Sequence, residues 1–191
     1  GTHVGGIIGA IRGNDLGGDG VAENVMLMSL RAVPNGDEFD KDIALAVRYA
    51  VDNGAQVINM SFGKGYSPHQ REVYEAFRYA DSKGVLLVHA AGNDAVNVDT
   101  TKNFPTSMYT FQSEPIKHYL TIGASTRYGK KSLAAGFSNY GQTKVDVFAP
   151  GFEIYNTVPQ SEYMKLQGTS MAAPMVSGVA AMLKSYFPTL S

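Results

Sequence analysis

Residues 57–90, VINMSFGKGYSPHQREVYEAFRYADSKGVLLVHA, predict a strand, a helix and a second strand in succession. Val57–Met60 and Val85–Ala90 are short apolar runs, the pattern of buried strands. Between them, apolar residues recur at helical spacing until Gly84, where the helix is expected to stop. Two strands joined by a helix in this way form a right-handed crossover within a parallel sheet.

The same alternation extends in both directions along the chain. Upstream, Val25–Leu30 (VMLMSL) predicts a strand and Phe39–Asp52 a helix. Downstream, Tyr119–Ala124 and Val145–Ala149 predict two more strands. We therefore predict an α/β fold, a doubly wound and mainly parallel sheet with helices on both faces. The 191 residues show no linker or repeat and suit a single domain, residues 1–191.

The composition argues against several classes of function. The 16 basic residues nearly balance the 17 acidic ones, and no dense basic run occurs, so nucleic acid and anionic membranes are not expected partners. The chain has no cysteine, which excludes disulfides and thiolate metal sites. No stretch is long and apolar enough to predict a membrane span.

Three strands end in short peptides of small residues: Ser61-Phe62-Gly63, Ala91-Gly92-Asn93 and Ala149-Pro150-Gly151. Open parallel sheets bind ligands beyond the carboxyl ends of their strands, and an extended peptide could add hydrogen bonds along such edges. Each peptide taken alone also fits an ordinary turn. Residues 94–118 are polar and have no clear period, and so long an irregular connection is usually functional.

The strongest chemical signal is GTSMAAP, Gly168 to Pro174. An apolar helical pattern follows Ser170, so this serine is expected near a helix N-terminus, where free N–H groups and the dipole stabilise developing negative charge. The absence of a side chain at Gly168 leaves room for a carbonyl beside the hydroxyl. An isolated G-T-S would equally fit a serine that caps a helix.

The complete heptad resembles the nucleophile motif of the subtilisin-like serine proteases. Further segments resemble that family in the same order: V-I-N-M-S-F-G (57–63), A-A-G-N (90–93), F-S-N-Y-G (137–141) and A-P-G (149–151). The resemblance covers nearly the whole chain. It implies a serine endopeptidase that forms an acyl-enzyme on Ser170, with Asn93 and the Ser170 N–H holding the oxyanion.

The resemblance also implies where a polypeptide substrate binds. Two walls would flank the side chain that precedes the scissile bond, and Phe62 suggests an apolar preference. The substrate-binding residues implied are Ser61, Phe62, Gly63, Ala91, Gly92, Gly168 and Thr169.

A serine nucleophile needs a base and a group that orients the base. The opening residues G-T-H-V-G-G-I-I (1–8) resemble the family's histidine motif, but His3 matches its second, structural histidine. The catalytic histidine is therefore expected just before Gly1 and the aspartate further upstream, in a domain truncated at both ends. The other three histidines, His69, His89 and His118, have no motif support as the base.

We accordingly expect an active parent protein and an inactive chain 1–191. The alternative from another class is a non-catalytic pseudoprotease or peptide-binding relative. A small-molecule binder would need a phosphate loop, which the sequence does not show.

The chemistry requires no cofactor and the sequence assigns no metal site. A structural calcium at Asp15 and Asp19, in the loop 14–20, is a further expectation, although glycine-rich acidic loops are more often plain turns. The family resemblance also suggests a pro-segment inhibitor and a secreted or extracytoplasmic protein of bacterial type.

Overall fold

The structure, a computed structural model, describes residues 1–129 and 132–190. A four-stranded sheet occupies the middle of the molecule, with a separate hairpin beside it. In chain order the helices and strands are α1 (Thr2–Gly9), α2 (Asp40–Asp52), β1 (Val57–Met60), α3 (Gln70–Ser82), β2 (Leu86–Ala90), β3 (Tyr119–Ser125), β4 (Val147–Pro150), β5 (Ile154–Val158), β6 (Glu162–Leu166) and α4 (Thr169–Tyr186).

The main sheet is parallel throughout, in the order β1-β2-β3-β4. In β1 and β2, Val57 pairs with Leu86 and Met60 with His89. All four strands therefore end at the same edge of the sheet, and the peptides that follow β1, β2 and β4 lie there together.

Helices cover both faces of this sheet. On one face α2 and α3 form an apolar cluster that includes Ile43, Phe77 and Leu87. On the other face α4 packs its alanines against a second cluster that includes Val88 and Ile122. Successive side chains of β2 point to opposite faces of the sheet and so belong to the two clusters alternately, as the pleat of a strand requires. The predicted doubly wound α/β fold is confirmed.

The strand predicted at Val25–Leu30 is wrong. These residues form no ladder, and Met26 is 99% exposed. An apolar run becomes a strand only where a neighbouring strand accepts its hydrogen bonds, and within the described ranges none runs alongside this one. Instead the run packs on α1, where a Cβ at Gly9 would lie 2.7 Å from Val25. The last predicted strand, Val145–Ala149, exists but is shifted to Val147–Pro150.

The hairpin β5-β6 was not predicted from the sequence. Its strands are antiparallel and are joined by a turn at 159–161, in which Gln160 has a positive φ. The hairpin packs against α1, and the Thr157 hydroxyl donates to the carbonyl of Thr2. Its location beside α1 explains the environment of His3, described below.

Candidate active site

Ser170 lies in the first turn of α4, which begins immediately after Gly168. Gly168 has φ 149° and ψ 162°, a backbone conformation that a residue with a Cβ rarely adopts. Its N–H donates to the carbonyl of Gly151 at 2.8 Å, so the peptide that follows β4 supports this turn. The sharp turn places the side chain of Ser170 at the carboxyl edge of the sheet.

Ser61 and Ser170 exchange hydrogen bonds. The Ser61 hydroxyl donates to the Ser170 carbonyl at 2.9 Å, and the Ser170 hydroxyl lies 3.4 Å from the Ser61 carbonyl. Asn59 in turn donates to the Ser61 hydroxyl at 2.8 Å. The end of β1 and the start of α4 are thus held together at the predicted nucleophile.

Asn93 is oriented by its side-chain oxygen. Its Oδ1 accepts hydrogen bonds from the Thr169 N–H at 2.8 Å and from the Thr169 hydroxyl at 3.1 Å. With the oxygen held there, the Nδ2 amide faces the open side of the molecule. Among residues 1–129 and 132–190 no acceptor receives it, and Asn93 is exposed. Its two Nδ2 hydrogens are available to a ligand.

Two hydrogen-bond donors converge beside Gly168. A point at the ideal Cβ position of Gly168 lies 3.5 Å from Asn93 Nδ2, 3.6 Å from the Ser170 nitrogen and 3.6 Å from Asn93 Oδ1, whose lone pairs are engaged by Thr169. The Ser170 N–H belongs to the first turn of a helix, where no intrahelical acceptor exists, and the described part of the chain offers it none. Because Gly168 has no side chain, an oxygen could enter this space and come closer to both donors than the Cβ position does, as an oxyanion hole would require.

Thr169 is completely buried. Its hydroxyl accepts from the Gly92 N–H at 3.0 Å and donates to Asn93 Oδ1. The Thr169 side chain therefore connects the end of β2 with the start of α4 and does not face the cleft. Ala91 is also fully buried, which leaves its backbone as the part able to contribute to a site.

Asn139 organises the segment that carries Asn93, a role that was not predicted from the sequence. This buried residue accepts from the backbone N–H groups of Asp94 and Val96 at 2.9 and 3.1 Å and donates to the Ala91 carbonyl. Its amide would lie 2.3 Å from a Cβ at Gly92, where φ is 101°. The only sequence signal for Asn139 is the segment F-S-N-Y-G (137–141), which resembles the family.

The irregular connection between β2 and β3 contacts the chain just after β1 and the chain just after β2. The backbone groups of Lys64 and Phe104 exchange two hydrogen bonds, at 2.9 and 2.8 Å. The adjacent Asn103 side chain donates to the Ala91 carbonyl at 2.9 Å. Asn103 and Phe104 make these contacts; that the long connection is functional stays a prediction.

None of the four histidines contacts Ser170, and each makes a contact elsewhere. His3 is buried and its Nε2 lies 3.1 and 3.2 Å from the carbonyls of Ile154 and Met164, so it holds the hairpin to α1. His89 Nε2 lies 2.8 Å from the Phe62 carbonyl. His69 pairs with Glu72 at 3.5 Å and His118 with Asp81 at 2.7 Å.

In the acidic loop after α1, where a structural calcium stays a prediction, side-chain oxygens accept hydrogen bonds from the loop's own backbone. Asp19 accepts from the Gly13 N–H at 3.2 Å and Asn14 from the Leu16 N–H at 3.0 Å, so these oxygens stabilise the loop itself. Within residues 1–129 and 132–190, no three acidic, histidine or cysteine side chains converge as metal ligands.

A sequence model of the subtilase family matches residues 1–191. The chain belongs to the subtilase family. Among curated relatives, the thermophilic serine proteinase of Bacillus sp. (strain AK1) is 40% identical over 186 residues, which cover 97% of this chain and 42% of the relative. Thermitase of Thermoactinomyces vulgaris is 37% identical, with 97% of this chain and 61% of thermitase covered.

Solved subtilase structures agree with this assignment. A protease of Pseudoalteromonas arctica superimposes with a TM-score of 0.85 at 30% identity, covering 99% of this chain and 59% of that one. A cold-adapted subtilisin-like serine proteinase gives a TM-score of 0.79 at 30% identity, over 97% of this chain and 60% of that one. The subtilase chain therefore spans between two-fifths and two-thirds of the length of these relatives. The family resemblance predicted from GTSMAAP is confirmed, and the roles of individual site residues stay predictions.

Proposed function

We propose that the full-length protein is a serine endopeptidase that cleaves polypeptides through an acyl-enzyme on Ser170. The observation that carries this proposal is the convergence of Asn93 Nδ2 and the Ser170 N–H on one open point beside Gly168. Two donors fixed in advance next to a serine hydroxyl fit the charge that develops when the hydroxyl attacks a carbonyl. Family membership supports the same reaction class.

The first step of this reaction is attack by Ser170 Oγ on the scissile carbonyl carbon. The carbonyl oxygen becomes an oxyanion and accepts hydrogen bonds from Asn93 Nδ2 and the Ser170 N–H. The N-terminal end of α4 adds a favourable field for this negative charge. Thr169 and Asn139 act through Asn93: they fix its orientation and that of its loop without touching the substrate.

The substrate would lie along the edge that follows β1. Gly63 is exposed, and its N–H has no acceptor in the described residues. An extended peptide could pair with this N–H as an added strand. Ser61, Phe62 and Gly63 then form one wall of the cleft and Ala91 and Gly92 the other, with Gly168 beside the scissile carbonyl. The Phe62 side chain packs partly against the core cluster of α2 and α3, so it supports an apolar preference only through the part left exposed.

The base and the acid of the catalytic triad come from residues outside 1–191. The four histidines support this part of the proposal, because the ring nitrogens contact other groups and none of them contacts Ser170. The Ser170 hydroxyl itself has only a carbonyl, at 3.4 Å, as its acceptor in the described residues. A carbonyl cannot take up a proton, so it cannot serve as the base.

An extracytoplasmic location is proposed from the relatives. Two of them are named an extracellular basic protease, from Dichelobacter nodosus, and a cell wall-associated protease, from Bacillus subtilis. None of the helices among the described residues is both long and apolar enough to cross a membrane. Inhibition by a pro-segment stays a prediction.

The decisive test compares the full-length protein with its Ser170→Ala and Asn93→Ala variants on peptide substrates. Ser170→Ala should remove turnover, and Asn93→Ala should lower kcat by about 10²–10³, the loss known for such a donor in subtilisin, a member of this family. Binding of substrate without any turnover by the native protein would refute the proposal and favour a peptide-binding pseudoprotease.

A further inference from the structure

His89 is a buried polar residue that the proposed reaction does not use. It is 1% exposed and lies on β2, on the same face as Leu87, a core residue. Its ring is 6.0 Å from that of Tyr119, which is also buried. An apolar side chain would suit this position, so the hydrogen bond that His89 makes requires an explanation.

The hydrogen bond of His89 fixes one peptide group of the segment of residues 61–63, called here the substrate-binding edge. Nε2 lies 2.8 Å from the Phe62 carbonyl. A carbonyl only accepts, so Nε2 carries the proton and the ring is its donor. Burial lowers the pKa of His89 from 6.5 to about 4, although the bond to Phe62 acts in the opposite direction. The ring is therefore neutral near pH 7, with its proton on Nε2.

The Phe62 carbonyl determines the direction of the next N–H group. The peptide bond between Phe62 and Gly63 is trans, and in a planar trans peptide the C=O and the N–H point in opposite directions. Since His89 holds the carbonyl towards the core, the Gly63 N–H points away from it, towards the exposed side of the edge. A Cβ at Gly63 would lie 3.5 Å from His89 Nε2 and 3.3 Å from both Asn103 Oδ1 and the Phe104 carbonyl oxygen, so the ring and residues 103–104 pack against this glycine together.

We propose that His89 is a positioning residue of the protease site: its Nε2–H holds the Phe62–Gly63 peptide so that the Gly63 N–H faces an extended substrate. This inference rests on the proposed function for the location of the substrate. It concerns the residues of the substrate on the N-terminal side of the scissile bond, which run along the edge, and it leaves the chemistry at Ser170 unchanged. His89 touches neither the substrate nor the reacting atoms.

The test uses His89→Leu, which removes the donor, and His89→Gln, whose amide can donate in its place. Each variant of the full-length protein is assayed on a tetrapeptide anilide and on a single-residue ester with the same residue before the scissile bond. For the tetrapeptide, His89→Leu should lower kcat/KM by about tenfold, the equivalent of one net hydrogen bond. The loss on the tetrapeptide should come mainly from a higher KM, while kcat/KM for the ester should hardly change. His89→Gln should restore most of the kcat/KM that His89→Leu loses on the tetrapeptide.

A purely structural role for His89 predicts different results. In that case His89→Leu would lower kcat/KM equally for the tetrapeptide and the ester, and Ile43→Val, a mild core truncation under α2, would do the same. An equal loss on the two substrates overturns the inference. So does a failure of His89→Gln to restore kcat/KM for the tetrapeptide. Binding of a tetrapeptide with a reduced, uncleavable bond supplies a readout that needs no turnover, and His89→Leu should raise its Kd by the same factor. If Ser170→Ala keeps full activity, the proposed function fails, whereas this binding result still decides the role of His89.

The native protein alone provides a check that does not depend on the variants folding. The ¹⁵N resonances of the His89 imidazole should show the neutral tautomer with the proton on Nε2 at pH 7. A proton on Nδ1, or a charged ring, would contradict the inference directly.

Discussion

At Gly168 the backbone conformation and the proposed chemistry depend on the same missing side chain. Its φ of 149° disfavours any other residue, and its Cβ position is the point that Asn93 Nδ2 and the Ser170 N–H both approach. A methyl group there would strain the turn and, in the proposed reaction, would crowd the oxyanion. Sequence reasoning identified the residue from its motif, but the convergence of the donors became visible only in the structure.

Gly168→Ala is therefore expected to lower kcat by at least about 10²-fold, the loss expected when an oxyanion donor can no longer reach its target. The measurement is steady-state hydrolysis of a tetrapeptide anilide by the full-length protein, with circular dichroism to confirm folding. Gly136→Ala is the matched control, because a Cβ at Gly136 meets no atom within 4 Å. Equal activity of the two variants would contradict the proposed oxyanion position.

A second prediction concerns the acid sensitivity of His89. Its folded pKa of about 4 lies below the ordinary 6.5, so the unfolded chain takes up a proton between these values and the folded chain does not. The contribution of the neutral His89 ring to the free energy of unfolding is fully present above pH 6.5. The free energy of unfolding should fall by about 3 kcal/mol as the pH drops towards 4. Tyr119, the titratable side chain that faces His89 from β3, has its pKa raised far above 10 by burial and does not titrate here.

Urea unfolding between pH 7 and pH 4 measures this loss. His89→Leu should be less stable at pH 7, because it leaves the Phe62 carbonyl unpaired, but its stability should vary much less over this range. The same pH dependence in both proteins would show that other groups cause the loss.

Among the elements of the fold, the start of α2 is fixed to the cleft by one buried carboxylate. Asp40 is 3% exposed and lies 2.8 Å from Lys64 Nζ; it also accepts from the Ser67 hydroxyl at 2.9 Å and the His69 N–H at 2.7 Å. Burial raises the pKa of Asp40, but these donors outweigh it and the pKa is lowered. Since Lys64 follows Gly63 directly, this pair joins α2 to the substrate-binding edge.

Lys64→Met should destabilise the protein by roughly 3–5 kcal/mol, because it leaves the Asp40 charge buried without its partner. The double variant Asp40→Asn/Lys64→Met should recover part of that loss. Denaturant unfolding of the single and double variants measures both effects. Glu23→Gln, in the exposed pair with Arg12, serves as the control and should change stability by no more than about 1 kcal/mol; a loss that the double variant does not reduce would mean that the ion pair is not the cause.

The elements also show how far sequence reasoning reached. Val57–Met60 and the α3 helix were predictable because burial imposes periods that a short stretch can display. Val25–Leu30 was predicted wrongly, since an apolar run cannot reveal whether a partner strand is present. The contacts of His89 with Phe62 and of Asn139 with Asp94 join residues 27 and 45 positions apart, and no local pattern encodes such pairs.

Taken as a whole, the proposed site has its nucleophile and oxyanion donors in this chain, while among the described residues no side chain is positioned to act as the base of Ser170. Purified residues 1–191 should therefore hydrolyse a tetrapeptide anilide no faster than their Ser170→Ala variant, while the full-length protein turns it over. Circular dichroism establishes that the chain is folded in this comparison. Hydrolysis by residues 1–191 that Ser170→Ala abolishes would show that a group within the chain acts as the base.

Covalent labelling of the full-length protein with a fluorophosphonate tests the role of Ser170 as the activated nucleophile. Attack by the serine oxygen displaces fluoride from phosphorus and leaves a phosphonyl ester that mass spectrometry can assign to a residue. This role predicts a single adduct on Ser170, loss of peptidase activity in proportion to labelling, and no adduct in Ser170→Ala. An unlabelled Ser170 in a protein that still cleaves peptides, or activity that survives Ser170→Ala, would contradict it.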